Sequence, residues 1–132
     1  MQEVLRIDVI LDRIETVRGT GGEVTMIFFH GNFSCGLRSG RVLPGGVDTQ
    51  IQRQREDKSL SARYILEGED KNQKLFRIFV ENNGICKEGE VLKTCPVIYT
   101  DAEELQWMEQ ENLSGIVEGC GENKVQIRIY RG

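Results

Sequence analysis

The chain has few of the residues that usually mark a metal or cofactor site. Its 132 residues include a single histidine, two prolines and four cysteines, and no two cysteines form a Cys-x-x-Cys pair. His30 is not spaced to join any two of them in a zinc site. We therefore expect four reduced thiols, no bound metal and no cofactor.

Long apolar runs and basic clusters are also missing. The longest apolar runs, such as Met26–Phe29, are far too short to cross a bilayer, and the N-terminus lacks the basic and apolar regions of a secretory signal. A net charge of −4 with scattered basic residues argues against a surface that neutralises phosphates. We expect a cytoplasmic protein that binds neither membranes nor nucleic acid.

The sequence instead contains repeated β-strand patterns within a length that suits one domain, residues 1–132. A bulge is predicted near Asp12, and a sharp bend at Pro44-Gly45-Gly46. One helix is predicted over 101–109, because Thr100 can cap it and acidic residues crowd its first turn. The fold predicted is all-β, a closed antiparallel β-barrel of about eight strands with one short helix. The predicted strands are residues 1–17, 23–33, 39–43, 47–53, 60–67, 74–82, 91–99, 113–118 and 124–130.

Three of these strands, 47–53, 60–67 and 74–82, each carry charged or amide side chains on one face. Arg63 faces away from the apolar Leu60 and Tyr64, and Glu81 faces away from Val80. Two arrangements follow from this alternation. Either the apolar faces form the core and the polar faces meet water, or the polar faces line a barrel wide enough to hold a ligand.

In the second arrangement, five residues converge on one solvent-accessible cavity and form a ligand site. Arg63 would bind a carboxylate or enolate oxygen, and Asp48 or Glu81 would exchange a proton. Gln50 and Asn83 would orient the ligand. In the first arrangement, Arg63 and Glu81 form a surface pair of little energetic value. No spacing matches a catalytic signature, so no catalytic residue is assigned.

Four segments also resemble a known family. Val42–Gln50, Ser61–Tyr64, Glu81–Gly84 and Thr100–Trp107 are similar to a bacterial and fungal domain of unknown function, uncharacterised protein family zero-three-one-one. The resemblance covers nearly the whole chain from Phe33 onward. It implies an eight-stranded barrel similar to that of allene oxide cyclases, and it implies no established reaction. No residue motif of the cyclase active site is present.

Three functions remain open, in order of preference. The first is a barrel that binds a small molecule of unknown identity. The second is a cofactor-independent isomerase, cyclase or lyase that transfers a proton inside the barrel. The third is an interaction protein whose barrel is filled by its own side chains. The partners compatible with the sequence are a small-molecule ligand and further copies of the chain.

Overall fold

The computed structural model describes residues 1–132, which form nine antiparallel strands and one 3-10 helix. All nine strands belong to one sheet. In chain order the elements are β1 (Gln2–Arg18), β2 (Gly22–Cys35), β3 (Arg38–Val42), β4 (Val47–Arg53), β5 (Lys58–Glu69), β6 (Leu75–Cys86), β7 (Leu92–Thr100), η1 (Glu103–Glu109), β8 (Leu113–Gly121) and β9 (Lys124–Arg131).

The strand pairings close into a ring of eight positions. Following the hydrogen bonds from β1, the order is β9, β8, β7, β6 and β5, and then β3 and β4 both pair with β5 on one side and β2 on the other. β2 returns to β1 and completes the ring. The predicted antiparallel barrel of about eight strands is therefore confirmed, with two short strands sharing one position.

The apolar faces of the strands point into the ring. In β5 the buried residues are Leu60, Ala62, Tyr64 and Leu66, whereas Arg63 between them is exposed. β6 follows the same alternation. Burial of β-branched and aromatic side chains on one face stabilises each strand by about 1.5–3 kcal/mol per large side chain, which fixes the register of the sheet. The first arrangement of faces is thus the observed one for β5 and β6.

Two irregularities shape the ring where the sequence predicts them. The pairing of β1 with β2 shifts by one residue between Leu11 and Arg13, which is the predicted bulge. The bend between β3 and β4 contains Gly45 at φ +103°, a conformation that favours glycine. Gly46 lies beyond it, against the ring of Phe29 and Cβ of Tyr64. The bend lets one stretch of chain fill a single ring position with two strands.

The helix η1 closes one end of the ring. It follows Thr100, whose partner on β6 is Ile78, and its side chains Leu105 and Met108 are buried in the core. The hydroxyl of Thr100 accepts a hydrogen bond from the amide of Ala102 at 3.1 Å, but Ala102 is the N-cap residue and no side chain caps η1, so the predicted capping role of Thr100 is wrong. The lumen is therefore packed at the end where η1 lies.

The helix and the four cysteines do not change this architecture. None of the helical structure has the length and apolar character needed to span a membrane. The four cysteines are unpaired, and Cys35 is the one that lies in the core.

Candidate functional site

The lumen contains a cavity of about 270 Å³ at the end opposite η1. Eight strands contribute to its wall, and the lining residues farthest from η1 are half-buried, so the cavity reaches solvent there. Its wall is almost entirely apolar, with three polar exceptions, Asp48, Gln50 and Asn82. The apolar lining residues are Val9, Leu11, Ile27, Phe29, Leu60, Ala62, Leu92, Val117, Val125 and Ile127.

Two of the polar residues lie in one row across the wall. Asp48 on β4 pairs with Ala62 on β5, and Ala62 pairs with Asn82 on β6. Because neighbouring strands lie about 4.8 Å apart, the Cα atoms of Asp48 and Asn82 are roughly 9.6 Å apart. Ala62 has the smallest side chain that lines the cavity, and it leaves free space between a carboxyl group and an amide.

Asp48 is the only ionisable residue in the cavity wall. Burial raises the pKa of its carboxyl group, while a hydrogen bond from Gln50 and the charge of Lys58 oppose that rise. Gln50 Nε2 donates to Asp48 Oδ2 at 2.9 Å, but the buried Oδ1 has no hydrogen-bond partner. One carboxyl oxygen is therefore held in place, and the other is free to accept a hydrogen bond.

Three further polar atoms inside the ring have no partner. They are the hydroxyl of Tyr64, Oδ1 of Asn82 and Oγ1 of Thr94. Burial raises the pKa of Tyr64, and the nearby charge of Asp48 raises it further. A buried polar group without a partner costs about 1–3 kcal/mol, so these atoms lower the stability of the protein unless another group bonds to them. Such groups are expected where a water or ligand completes the hydrogen bonding.

The structure separates the five predicted site residues into two groups. Asp48 and Gln50 line the cavity, whereas Arg63, Glu81 and Asn83 lie on the outer face of β5 and β6. Arg63 Nε lies 2.9 Å from Glu81 Oε2, and the arginine side chain is 67% exposed. Asn83 bonds to Glu81 and to Ser61 on that same face.

The predicted convergence is therefore wrong for Arg63, Glu81 and Asn83. Strand periodicity places the alternate, mostly apolar residues of β5 and β6 inside, and the two charged groups are better solvated outside. The ligand-binding role of Asp48 and Gln50 stays a prediction, now with a cavity in front of them.

Sequence reasoning missed Asn82, Thr94 and Ala62. A signal for Asn82 was present, because it is in phase with Phe76, Ile78 and Val80 on an otherwise apolar face. Asn82 is buried with that apolar face and is only 1% exposed. Neither Thr94 nor Ala62 has a comparable signal, since threonine and alanine occur on both faces of strands.

The outer surface of the ring has weaker candidate sites than the lumen. His30 Nδ1 lies 2.7 Å from Asp12 Oδ1, but both side chains are about half exposed on the outside of the ring. No group of three or more histidine, cysteine, aspartate or glutamate side chains is placed to hold a metal ion. The lumen is thus the site whose burial and unpaired groups favour a ligand.

Comparison with known proteins gives the family. A family model described as "Protein of unknown function (DUF3237)" matches residues 1–132. The chain belongs to this family. The curated relative "UPF0311 protein CA_C3321" of Clostridium acetobutylicum is 34% identical, over 53% of this chain and 52% of that protein. The match thus spans about half the length of that curated relative, and it confirms the resemblance to uncharacterised protein family zero-three-one-one.

Solved structures share the architecture along nearly the whole chain. A protein of unknown function from Clostridium acetobutylicum superposes with a TM-score of 0.81 at 26% identity, covering 98% of this chain and 96% of that one. A β-barrel-like protein from Acinetobacter baumannii superposes with a TM-score of 0.74 at 19% identity, covering 98% and 93%. The second likeness shows the fold alone. Similarity to allene oxide cyclases is compatible with this barrel and stays a prediction.

Proposed function

We propose that this protein binds a small, mostly apolar molecule inside its barrel and holds one hydrogen-bond donor of that molecule against Asp48. The observation that carries the proposal is the unpartnered Oδ1 of Asp48 in an otherwise apolar cavity. Ligand pockets generally combine an apolar lining with a few placed polar groups. The same cavity argues against a barrel filled by its own side chains.

The size of the cavity limits the ligand. An engineered protein cavity of about 150 Å³ accommodates benzene. A cavity of about 270 Å³ therefore has room for a substituted six-membered ring. A hydroxyl group on that ring would donate to Asp48 Oδ1, and a hydrogen bond to an ionised acceptor is worth about 1.5–3 kcal/mol.

Titration calorimetry with 4-ethylphenol tests this proposal. We expect binding to the wild-type protein, about tenfold weaker binding to Asp48→Asn, and also weaker binding to Ala62→Leu, whose larger side chain enters the cavity between Asp48 and Asn82. Arg63→Leu is the matched control, because it places the same new side chain one residue away on the outer face. Equal binding to Ala62→Leu and the wild type would contradict a lumenal site. Native mass spectrometry of freshly purified protein would reveal any retained metabolite.

A second candidate function is proton transfer by Asp48, as in a cofactor-independent isomerase, cyclase or lyase. The favouring observation is that burial raises the pKa of this cavity-facing carboxyl group, which moves it toward the range of a general base. In this reaction Asp48 would take a proton from a carbon next to a carbonyl group and return it at another position or from solvent.

Hydrogen–deuterium exchange distinguishes this reaction from binding alone. With 4-methylcyclohexanone in D₂O, we expect proton NMR to show faster loss of the signals next to the carbonyl than in buffer. Asp48→Asn should abolish the acceleration while the ketone still binds. Exchange at the buffer rate with saturated wild-type protein would leave binding without chemistry as the function.

A further inference from the structure

Two unpartnered polar atoms of the lumen converge on a single point beside β8. A Cβ atom built on Gly115 would lie 2.2 Å from Thr94 Oγ1 and 3.5 Å from Asn82 Oδ1. The two oxygens are therefore less than about 6 Å apart, a span that one bridging hydroxyl or water covers with two hydrogen bonds. Because residue 115 is glycine, there is room for the Thr94 hydroxyl at this point.

The burial of these two side chains makes the pair unusual. Asn82 is 1% exposed and Thr94 is 3% exposed, yet neither Oδ1 nor Oγ1 has a hydrogen-bond partner. Asn82 also lines the cavity. It lies at one end of the row that begins at Asp48 and passes through Ala62. The cavity thus has an unsatisfied acceptor at each end of that row.

We infer that the cavity recognises molecules with two hydrogen-bonding groups, a donor at Asp48 and a hydroxyl or amine at the Asn82–Thr94 pair. The apolar body of the ligand would lie over Ala62, between the two polar ends. This inference rests on the proposed function and adds the ligand class, a six-membered ring with polar groups at opposite ends. A purely apolar wall at β7 and β8 would instead reject a second polar group.

Two probes of equal size separate these alternatives. In 4-(hydroxymethyl)phenol a hydroxyl group replaces the terminal methyl group of 4-ethylphenol. An apolar site should bind 4-ethylphenol more tightly, because the extra hydroxyl loses its hydration. A two-point site should bind 4-(hydroxymethyl)phenol more tightly, by about fivefold or more if one net hydrogen bond is gained.

Variants of Thr94 test whether tighter binding of 4-(hydroxymethyl)phenol arises from the Asn82–Thr94 pair. Thr94→Val keeps the side-chain shape and removes the hydroxyl, so we expect the preference to reverse while the affinity for 4-ethylphenol is unchanged. Thr94→Ser keeps the hydroxyl and should retain the preference. Thr49→Val is the matched control, since Thr49 is out of phase with Asp48 and lies on the outer face of β4.

Each outcome of the calorimetry decides a different claim. Tighter binding of 4-(hydroxymethyl)phenol that is lost only in Thr94→Val supports the inference. Equal or tighter binding of 4-ethylphenol to the wild type overturns it, and leaves the proposed function standing with a water at Gly115. Failure of both probes to bind at millimolar concentration contradicts the proposed function, and this inference with it.

Discussion

Replacement of Asp48 by asparagine should stabilise the fold. Asparagine has nearly the same shape as aspartate, and its Oδ1 can still accept the hydrogen bond that Gln50 now donates to Asp48 Oδ2 at 2.9 Å. The change removes a charge from an apolar cavity in which the other carboxyl oxygen has no partner. The Nδ2 amine of asparagine would lie where Oδ1 now lies and would also have no partner, so the gain comes only from removing the charge. We expect a gain of about 1 kcal/mol in the free energy of unfolding at pH 7.

The gain should depend on pH, with a sign that follows from the raised pKa. Burial raises the folded-state pKa of Asp48 above its ordinary value near 3.9. Between those two pKa values the folded state binds more protons than the unfolded state, so this residue makes the wild type more stable as pH falls. The cost of the charge is fully present above the raised pKa and is relieved below about pH 3.9. Asp48→Asn should therefore gain less as pH falls.

Neighbouring charges do not change this sign. The charge of Lys58 favours the ionised carboxylate, and burial is the larger influence on its pKa. The thiol of Cys86 and the hydroxyl of Tyr64 also lie within reach of the Asp48 charge, and burial raises the pKa of each. Both groups therefore stay neutral between pH 4 and pH 7, and neither adds a titration in that range.

Urea denaturation at several values between pH 4 and pH 7 measures this effect. A gain of about 1 kcal/mol corresponds to a rise of roughly 2–8 °C in Tm for a domain of this length. Asp57→Asn, at an exposed position between β4 and β5, is the control and should change stability by no more than about 0.5 kcal/mol. Loss of stability in Asp48→Asn at pH 7, or a gain that does not vary with pH, would refute the reasoning.

Three other substitutions test the geometry by the same denaturation assay. Arg63→Ala should cost about 0–1 kcal/mol, because its 2.9 Å pair with Glu81 lies on the outer face; a cost of 3 kcal/mol or more would indicate a buried pair. Tyr64→Phe removes an unpartnered hydroxyl and should leave stability equal or higher; a loss above about 1 kcal/mol would mean that the hydroxyl has a partner. Gly115→Ala should cost about 1–3 kcal/mol, since its Cβ would lie 2.2 Å from Thr94 Oγ1. Adding Thr94→Ala should recover part of that loss, and a neutral Gly115→Ala would contradict the placement of Thr94.

Much of the fold follows from local patterns in the sequence. The period-two alternation of β5 and β6, the bulge after Leu11 and the bend at Gly45 are each set by neighbouring residues, and each lies where predicted. Closure of the ring is less local, because β1 must meet both β2 and β9. The number of antiparallel strands predicted closure without showing which strands share one position.

The site was harder to predict because it depends on which face points inward. A charged residue on a mixed face is equally compatible with a lumen and with solvent, and the sequence does not contain the volume inside the ring. Arg63 and Glu81 lie on the outer face, where their charges are better solvated than they would be inside the ring. β4 departs from the usual alternation, because its wholly polar face supplies Asp48 and Gln50 to the lumen while Val47 and Ile51 lie on the opposite face. The polar residue in phase with an apolar face, Asn82, was the more informative signal.

A crystal structure grown with 4-ethylphenol tests the central claim most directly. We predict density for the ring inside the barrel, over Ala62, with its hydroxyl oxygen about 2.5–3.0 Å from Asp48 Oδ1. A lumen closed by repacked side chains, or the ring bound only on the outer face beside Arg63, would contradict the account.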